Sequence, residues 1–171
     1  GGSLPVPMMN VINGGAHSNN NLDIQEFMIM PIGFKSFKEA LRSGVEIFQS
    51  LKSILSDIGL STNVGDEGGF APQLQSAEEA LNLISKAIDK AGYKLGQEIY
   101  FALDAASSEF FKNGKYHVSQ GKEVLSTDEM LSYWTDLIHK FPILSIEDPF
   151  SEDDINGFIN LQAKVGNKLQ I

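Results

Sequence analysis

Ile143-Leu144-Ser145-Ile146-Glu147-Asp148-Pro149 (143–149) decides the fold once it is set beside Ile99-Tyr100-Phe101-Ala102-Leu103-Asp104 (99–104). Neither run alternates apolar with polar residues, as a strand with one wet face does. Both are therefore expected to be strands buried on both faces, as parallel strands are in α/β folds. Each runs directly into a carboxylate. In barrels and open α/β sheets, ligands bind at the carboxyl ends of the strands, where loops vary on a rigid scaffold. Asp104 and Glu147, at two such ends with one helical segment between them, are candidates to converge on one ion. The ion that suits them is hard: Mg²⁺ takes oxygen ligands, usually one or two carboxylates with water and substrate oxygens. A single acid after a strand reads first as a loop residue capping the next helix, so it is the pair that opens the metal reading.

The segments around these two runs give an alternating α/β order. Apolar residues at 37, 40, 41, 45, 48, 51 and 55 form a helical stripe that ends near Gly59. A second stripe, Leu81, Ile84, Ala87, Ile88 and Ala91, closes at Gly92, and a third, Met130, Trp134, Leu137, Ile138 and Phe141, closes before Pro142. Each is preceded by a Ser with Glu three residues on: Ser36 and Glu39, Ser76 and Glu79, Ser126 and Glu129. That spacing predicts capping boxes, which satisfy orphan amides at a helix start. Two short apolar segments, Val6 to Ile12 and Glu26 to Ile32, are expected to be early strands. Asn113-Gly114 predicts a tight hairpin leaving the sheet. A last helical stretch follows Asp153, with Glu152-Asp153-Asp154 suited to its first turn, and Leu169-Gln170-Ile171 reads as the start of a further strand.

Composition narrows the function classes. Of 171 residues, 42% are hydrophobic and 20% charged, which supports a buried core and excludes disorder as the main state. A net charge of −9 without Lys/Arg clusters argues against a nucleic-acid footprint and a polybasic membrane patch. The absence of cysteine excludes disulfides, thiolate zinc sites and a Cys nucleophile. No apolar run approaches the roughly 20 residues of a membrane span, and Gly1-Gly2-Ser3 is not a signal peptide. The missing initiator Met leads us to expect a chain that begins inside something longer.

Two loops add chemistry. Asn63-Val64-Gly65-Asp66-Glu67-Gly68-Gly69-Phe70-Ala71-Pro72 puts three glycines and adjacent acids between two helices, the composition of a backbone that approaches something closely. An Asp-Glu turn with Gly at positive φ is the plainer reading. If Glu67 faces another carboxylate, one of the two is expected to have its pKa raised, and a protonated carboxyl serves as a general acid. The polar loop Asn13 to Asn21, followed by Gln25-Glu26-Phe27, contributes His17 and Glu26. Taken alone, His17 reads as a solvated loop residue, His117 and His139 as structural, and Trp134 as core.

In order along the chain, Leu-Pro-Val-Pro-Met-Met-Asn-Val-Ile-Asn-Gly-Gly (4–15), Gln-Glu-Phe-Met (25–28), Val-Gly-Asp-Glu-Gly-Gly (64–69), Leu-Asp-Ala-Ala-Ser-Ser-Glu-Phe (103–110) and Ser-Ile-Glu-Asp-Pro-Phe (145–150) resemble enolase, phosphopyruvate hydratase. The resemblance spans essentially the whole chain. It implies an α/β fold, part of a TIM-like (β/α) barrel that begins with an antiparallel strand pair. It implies a carbon–oxygen lyase that interconverts 2-phosphoglycerate and phosphoenolpyruvate with Mg²⁺ in glycolysis. Asp104 and Glu147 would be two of three metal carboxylates, Glu67 the general acid, Glu26 its neighbour in catalysis and substrate binding, and His17 a substrate-binding residue. The family also implies a cytoplasmic homodimer, with a cell-surface or secreted pool.

In the family, the third metal carboxylate and the base lysine lie beyond the position of Ile171, and an amino-terminal domain precedes that of Gly1. A complete barrel of this kind needs roughly 250 residues. Residues 1–171 are therefore expected to be the amino-terminal part of the barrel domain, inactive alone. Two rival readings stand beside this one: another acid/base enzyme of the same superfamily, and a non-catalytic binding or surface-interaction module.

Overall fold

A computed structural model describes residues 4–65 and 67–171. The local signals give the helices almost as expected. Helix α1 (Phe37–Asp57) is followed by α2 (Ala77–Lys90), α3 (Thr127–Lys140) and α4 (Ile155–Val165). The serine at each of the first three starts accepts the amide of the Glu three residues on. Only Ser126 and Glu129 complete the reciprocal box. At Ser36 the Glu39 carboxylate takes the serine hydroxyl, and Glu79 reaches past Ser76 to the amide of Gln75 at 2.7 Å. The acidic run 152–154 also differs from expectation: Asp154 is the N-cap of α4, accepting from the Gly157 amide at 3.1 Å, and the first turn itself carries no acid.

Strands β1 (Met9–Asn13), β2 (Glu26–Met30), β3 (Tyr100–Asp104) and β7 (Ile143–Glu147) form one sheet in that order. Both early strands are shorter than the apolar runs suggested. Pro7 and Pro31 lack the amide a ladder needs, so β1 starts beyond the first and β2 ends before the second. β1 and β2 are antiparallel, β3 and β7 parallel, and β2 and β3 also antiparallel, a pairing the sequence did not suggest. Gln170 continues the sheet by bridging Ser145 in parallel.

The registers align the strand ends. Asn13 pairs with Glu26, Glu26 with Asp104, and Asp104 with Glu147, so these four residues form a row across one end of the sheet. The helices bury one apolar face each on this sheet: Ile47, Leu51 and Leu55 of α1, Leu81, Ile84 and Ile88 of α2, Met130 and Trp134 of α3, and Leu161 of α4.

Strands β4 (Phe111–Lys112), β5 (Lys115–Val118) and β6 (Glu123–Leu125) form a small antiparallel sheet beside the main one. Its first turn is the expected Asn113-Gly114, with φ of 53° and 75°, the left-handed pair of a type I′ hairpin. Leu4, Phe37, Leu41 and Val45 leave an apolar stripe exposed along α1.

Candidate functional site

The row of strand ends is where the acids gather. Asp104, the last residue of β3, is half-buried and held at both oxygens: Oδ1 accepts the Ala106 amide at 3.0 Å and Oδ2 the Gln25 carboxamide at 3.2 Å. Burial raises its pKa above the ordinary value, with Asp148 adding to the effect. Glu147 is exposed, and its pKa is raised chiefly by the charge of Asp104 and then by burial. The two strand ends are further tied below the carboxylates: the Ala105 amide donates to the Glu147 carbonyl at 2.9 Å and the Ser107 amide to that of Asp148 at 3.1 Å. These bonds turn the chain sharply. Ala106 and Asp148 take φ of 45° and 48° there, a conformation non-glycine residues seldom adopt.

Glu26 stands beside Asp104 in the register. Burial comes first among the causes that raise its pKa, followed by Asp104 and Glu67, with Glu147 adding and His17 opposing. The carboxylate with the raised pKa is thus Glu26, through burial first and then its acidic neighbours, Glu67 among them. The Nδ1 atom of His17 lies 3.6 Å from Oε1 of Glu26 and makes no hydrogen bond with the described residues. His17 ends a 3₁₀ turn, Gly15–His17, and lines a polar cleft with Ser18, Asn63, Gly65 and Gln73. It is not the free loop residue that its local sequence suggested.

Glu67 is exposed in the glycine-rich loop; Asp66 lies outside the described residues. The loop closes on itself through the Gly65 amide to the Gly69 carbonyl at 2.9 Å and the Gly68 amide to the Gly65 carbonyl at 3.0 Å. It docks on β1 as a short strand, with the Phe70 amide donating to Val11 at 2.9 Å and the Asn13 amide to Phe70 at 2.8 Å. Four acids from four separate segments, Glu26, Glu67, Asp104 and Glu147, therefore share one end of the sheet.

Three residues that sequence reasoning did not assign support this cluster. Gln25 holds Asp104, Asn20 bridges the carbonyls of Asn13 and Pro72 at 2.8 and 3.0 Å, and Trp134 donates its indole N–H to the Pro149 carbonyl at 2.6 Å. Trp134 is core, as expected, but also pins the loop that carries Glu147. Among the described residues no group of three or more His, Asp or Glu side chains is placed to hold a metal; Asp104 and Glu147 form a pair. An enclosed cavity lined by Asp23, Tyr133 and Trp134 includes none of the candidate residues.

A family model described as the enolase C-terminal TIM barrel domain matches residues 2–171. The chain belongs to this family. Within the enolase barrel domain the four-stranded sheet is an open portion of the barrel, with the antiparallel pair β1–β2 at its start. No described helix is long and apolar enough to cross a membrane.

Proposed function

We propose that this chain is the amino-terminal part of an enolase barrel domain, and that the complete protein reversibly dehydrates 2-phosphoglycerate to phosphoenolpyruvate. The observation that supports this best is the convergence of Glu26, Glu67, Asp104 and Glu147 at one end of the sheet. Asp104 and Glu147 are hard oxygen donors on neighbouring strand ends, Asp104 pushed toward protonation chiefly by burial and Glu147 chiefly by the Asp104 charge, and a divalent cation would offset both effects. They are the residues that would hold Mg²⁺. When bound, Mg²⁺ supplies Lewis-acid stabilisation to the carboxylate end of the substrate, which reconciles an acidic protein with an anionic ligand.

Glu67 is the general acid. It gives its proton to the C3 hydroxyl as the C–O bond breaks, releasing water, and the electron pair of the lost C2–H bond forms the new double bond. Glu26 keeps a proton available beside it, and His17 contacts substrate across the cleft. On the family reading none of the residues assigned here takes the C2 proton, and turnover by the chain alone is not expected. On the same family reading the complete protein is a cytoplasmic homodimer with a cell-surface or secreted pool.

Phosphoenolpyruvate formation tests the assignment. The complete barrel is expected to turn over 2-phosphoglycerate with Mg²⁺ and to lose turnover with a chelator or on Glu67→Gln, a loss of about 100-fold or more for a general acid. Full activity in Glu67→Gln overturns the role of Glu67, and turnover by the 171-residue chain overturns the account of the missing base.

A further inference from the structure

We propose that Asn13 is the positioning residue for the acid loop: its buried carboxamide fills the space between Gly65 and Gly69 and so fixes Glu67 relative to Glu26. The inference rests on the reading of Glu67 as the general acid. Asn13 is fully buried, with no exposed surface. Its Nδ2 donates to the Gly69 carbonyl at 3.0 Å and its Oδ1 accepts from Asn10 Nδ2. Its main chain binds the same loop through Phe70, while its register partner on the next strand is Glu26. One residue therefore connects the strand of Glu26 with the loop that carries Glu67.

The glycines of the loop show what the carboxamide does. A Cβ on Gly65 would lie 2.3 Å from Asn13 Nδ2, and one on Gly69 would lie 2.9 Å from Asn13 Oδ1 and 3.0 Å from the Ile12 amide nitrogen. Neither glycine takes a left-handed φ, so conformational freedom does not explain them. Gly68 is the reverse, at φ +84° with open space around it. Gly65 and Gly69 leave room for the Asn13 side chain between them, and Gly69 also passes close to the β1 backbone at Val11 and Ile12. A buried amide left without partners is costly, so the loop is held in one place rather than merely tethered.

The test is a pair of double-mutant cycles in the complete barrel protein, with kcat and KM read separately. Asn13→Ala and Gly65→Ala are each expected to lower kcat about 10- to 100-fold through misplacement of Glu67, with KM little changed. In the Glu67→Gln background, Asn13→Ala is expected to change kcat less than roughly 2-fold, because a residue acting through Glu67 has nothing left to position. Gly65→Ala is likewise expected to cost little in the Asn13→Ala background, where the atom that its Cβ meets is gone. Additive losses in either cycle, or equal losses in kcat and folded fraction alone, overturn the proposal.

If Asn13→Ala does not fold, Gly65→Ala, at a half-buried loop position, carries the first cycle by itself. If the unsubstituted protein shows no Mg²⁺-dependent turnover, the functional reading fails. Amide exchange then decides the positioning claim. Asn13→Ala is expected to speed exchange at Gly65 and Phe70 while the β2–β3 amides stay protected, and unchanged exchange at Gly65 and Phe70 overturns it.

Discussion

Asp104 and Glu147 are register partners at the last position of two parallel neighbouring strands, so each carboxylate is set by the backbone of the other's strand. The charge of Asp104 is the largest cause of the raised Glu147 pKa. Mg²⁺ is expected to raise the melting temperature of the complete protein, by mass action about 2.7 kcal/mol at a hundred times its Kd. Asp104→Asn removes one donor and, with its charge, the repulsion that it exerts on Glu147. It is expected to leave the metal-free melting temperature unchanged or higher and to abolish the Mg²⁺-dependent rise; a Mg²⁺ response as large as that of the parent would sink the metal assignment.

Asp23 offers a pH test away from the strand ends. Its carboxylate accepts the Ser119 amide at 2.8 Å, yet burial dominates and raises its pKa above 3.8, with Glu123 adding. A raised carboxylate pKa means that the folded state holds the proton longer than the unfolded one, so stability falls as pH rises through the window above 3.8. Asp23→Asn keeps an acceptor for Ser119 and removes this loss. Its melting temperature is expected to match the parent's most closely at acid pH and to exceed it increasingly as pH rises to neutral, measured by thermal denaturation across pH.

Trp134 supports the Glu147 loop from below through its bond to Pro149. Trp134→Phe removes that donor and leaves a buried carbonyl unpaired, at a cost of about 2 to 4 kcal/mol including the lost volume. Urea denaturation measures it. The same variant is expected to weaken the Mg²⁺ stabilisation, which a change confined to the core would not do.

Gly157, in the first turn of α4, lies against the ring of Phe150, where an added Cβ would meet Cδ1 at 2.3 Å. Phe150 is buried and closes the Asp148-Pro149-Phe150 turn. Gly157→Ala is expected to destabilise the protein by about 1 to 3 kcal/mol through overpacking, despite the gain in helix propensity. A stabilised variant in urea would contradict the contact.

What was legible in the sequence was what is local. Helices α1, α2 and α3 follow from apolar stripes with a serine at the start, and the Asn113-Gly114 turn from two adjacent residues. The buried strands β3 and β7 were visible because both faces are covered. The antiparallel pairing of β2 with β3 was not, since a strand's partner is chosen by non-local packing rather than by its own residues. Glu67 stands out as an acid in a glycine-rich loop, and Glu26 as an acid where a polar loop enters a strand. Asn13 and Gln25 carry no such signal, because a carboxamide has no charge pattern and its role exists only once a distant segment arrives. The histidine at position 17 failed in the other direction: its loop is polar, but the 3₁₀ turn brings its ring against Glu26.

Several of the bonds that hold the acid row and its flanking loops join residues far apart along the chain. Asn13 meets Gly69 across 56 positions, Gln25 meets Asp104 across 79, and Asp23 meets Ser119 across 96. Contacts of such separation form slowly, because chain entropy is lost before they stabilise anything. The helices, by contrast, are built from neighbours. Helix formation alone would leave these carboxylates scattered, so the gathering of Glu26, Glu67, Asp104 and Glu147 depends on the long-range contacts and is expected to come late in folding.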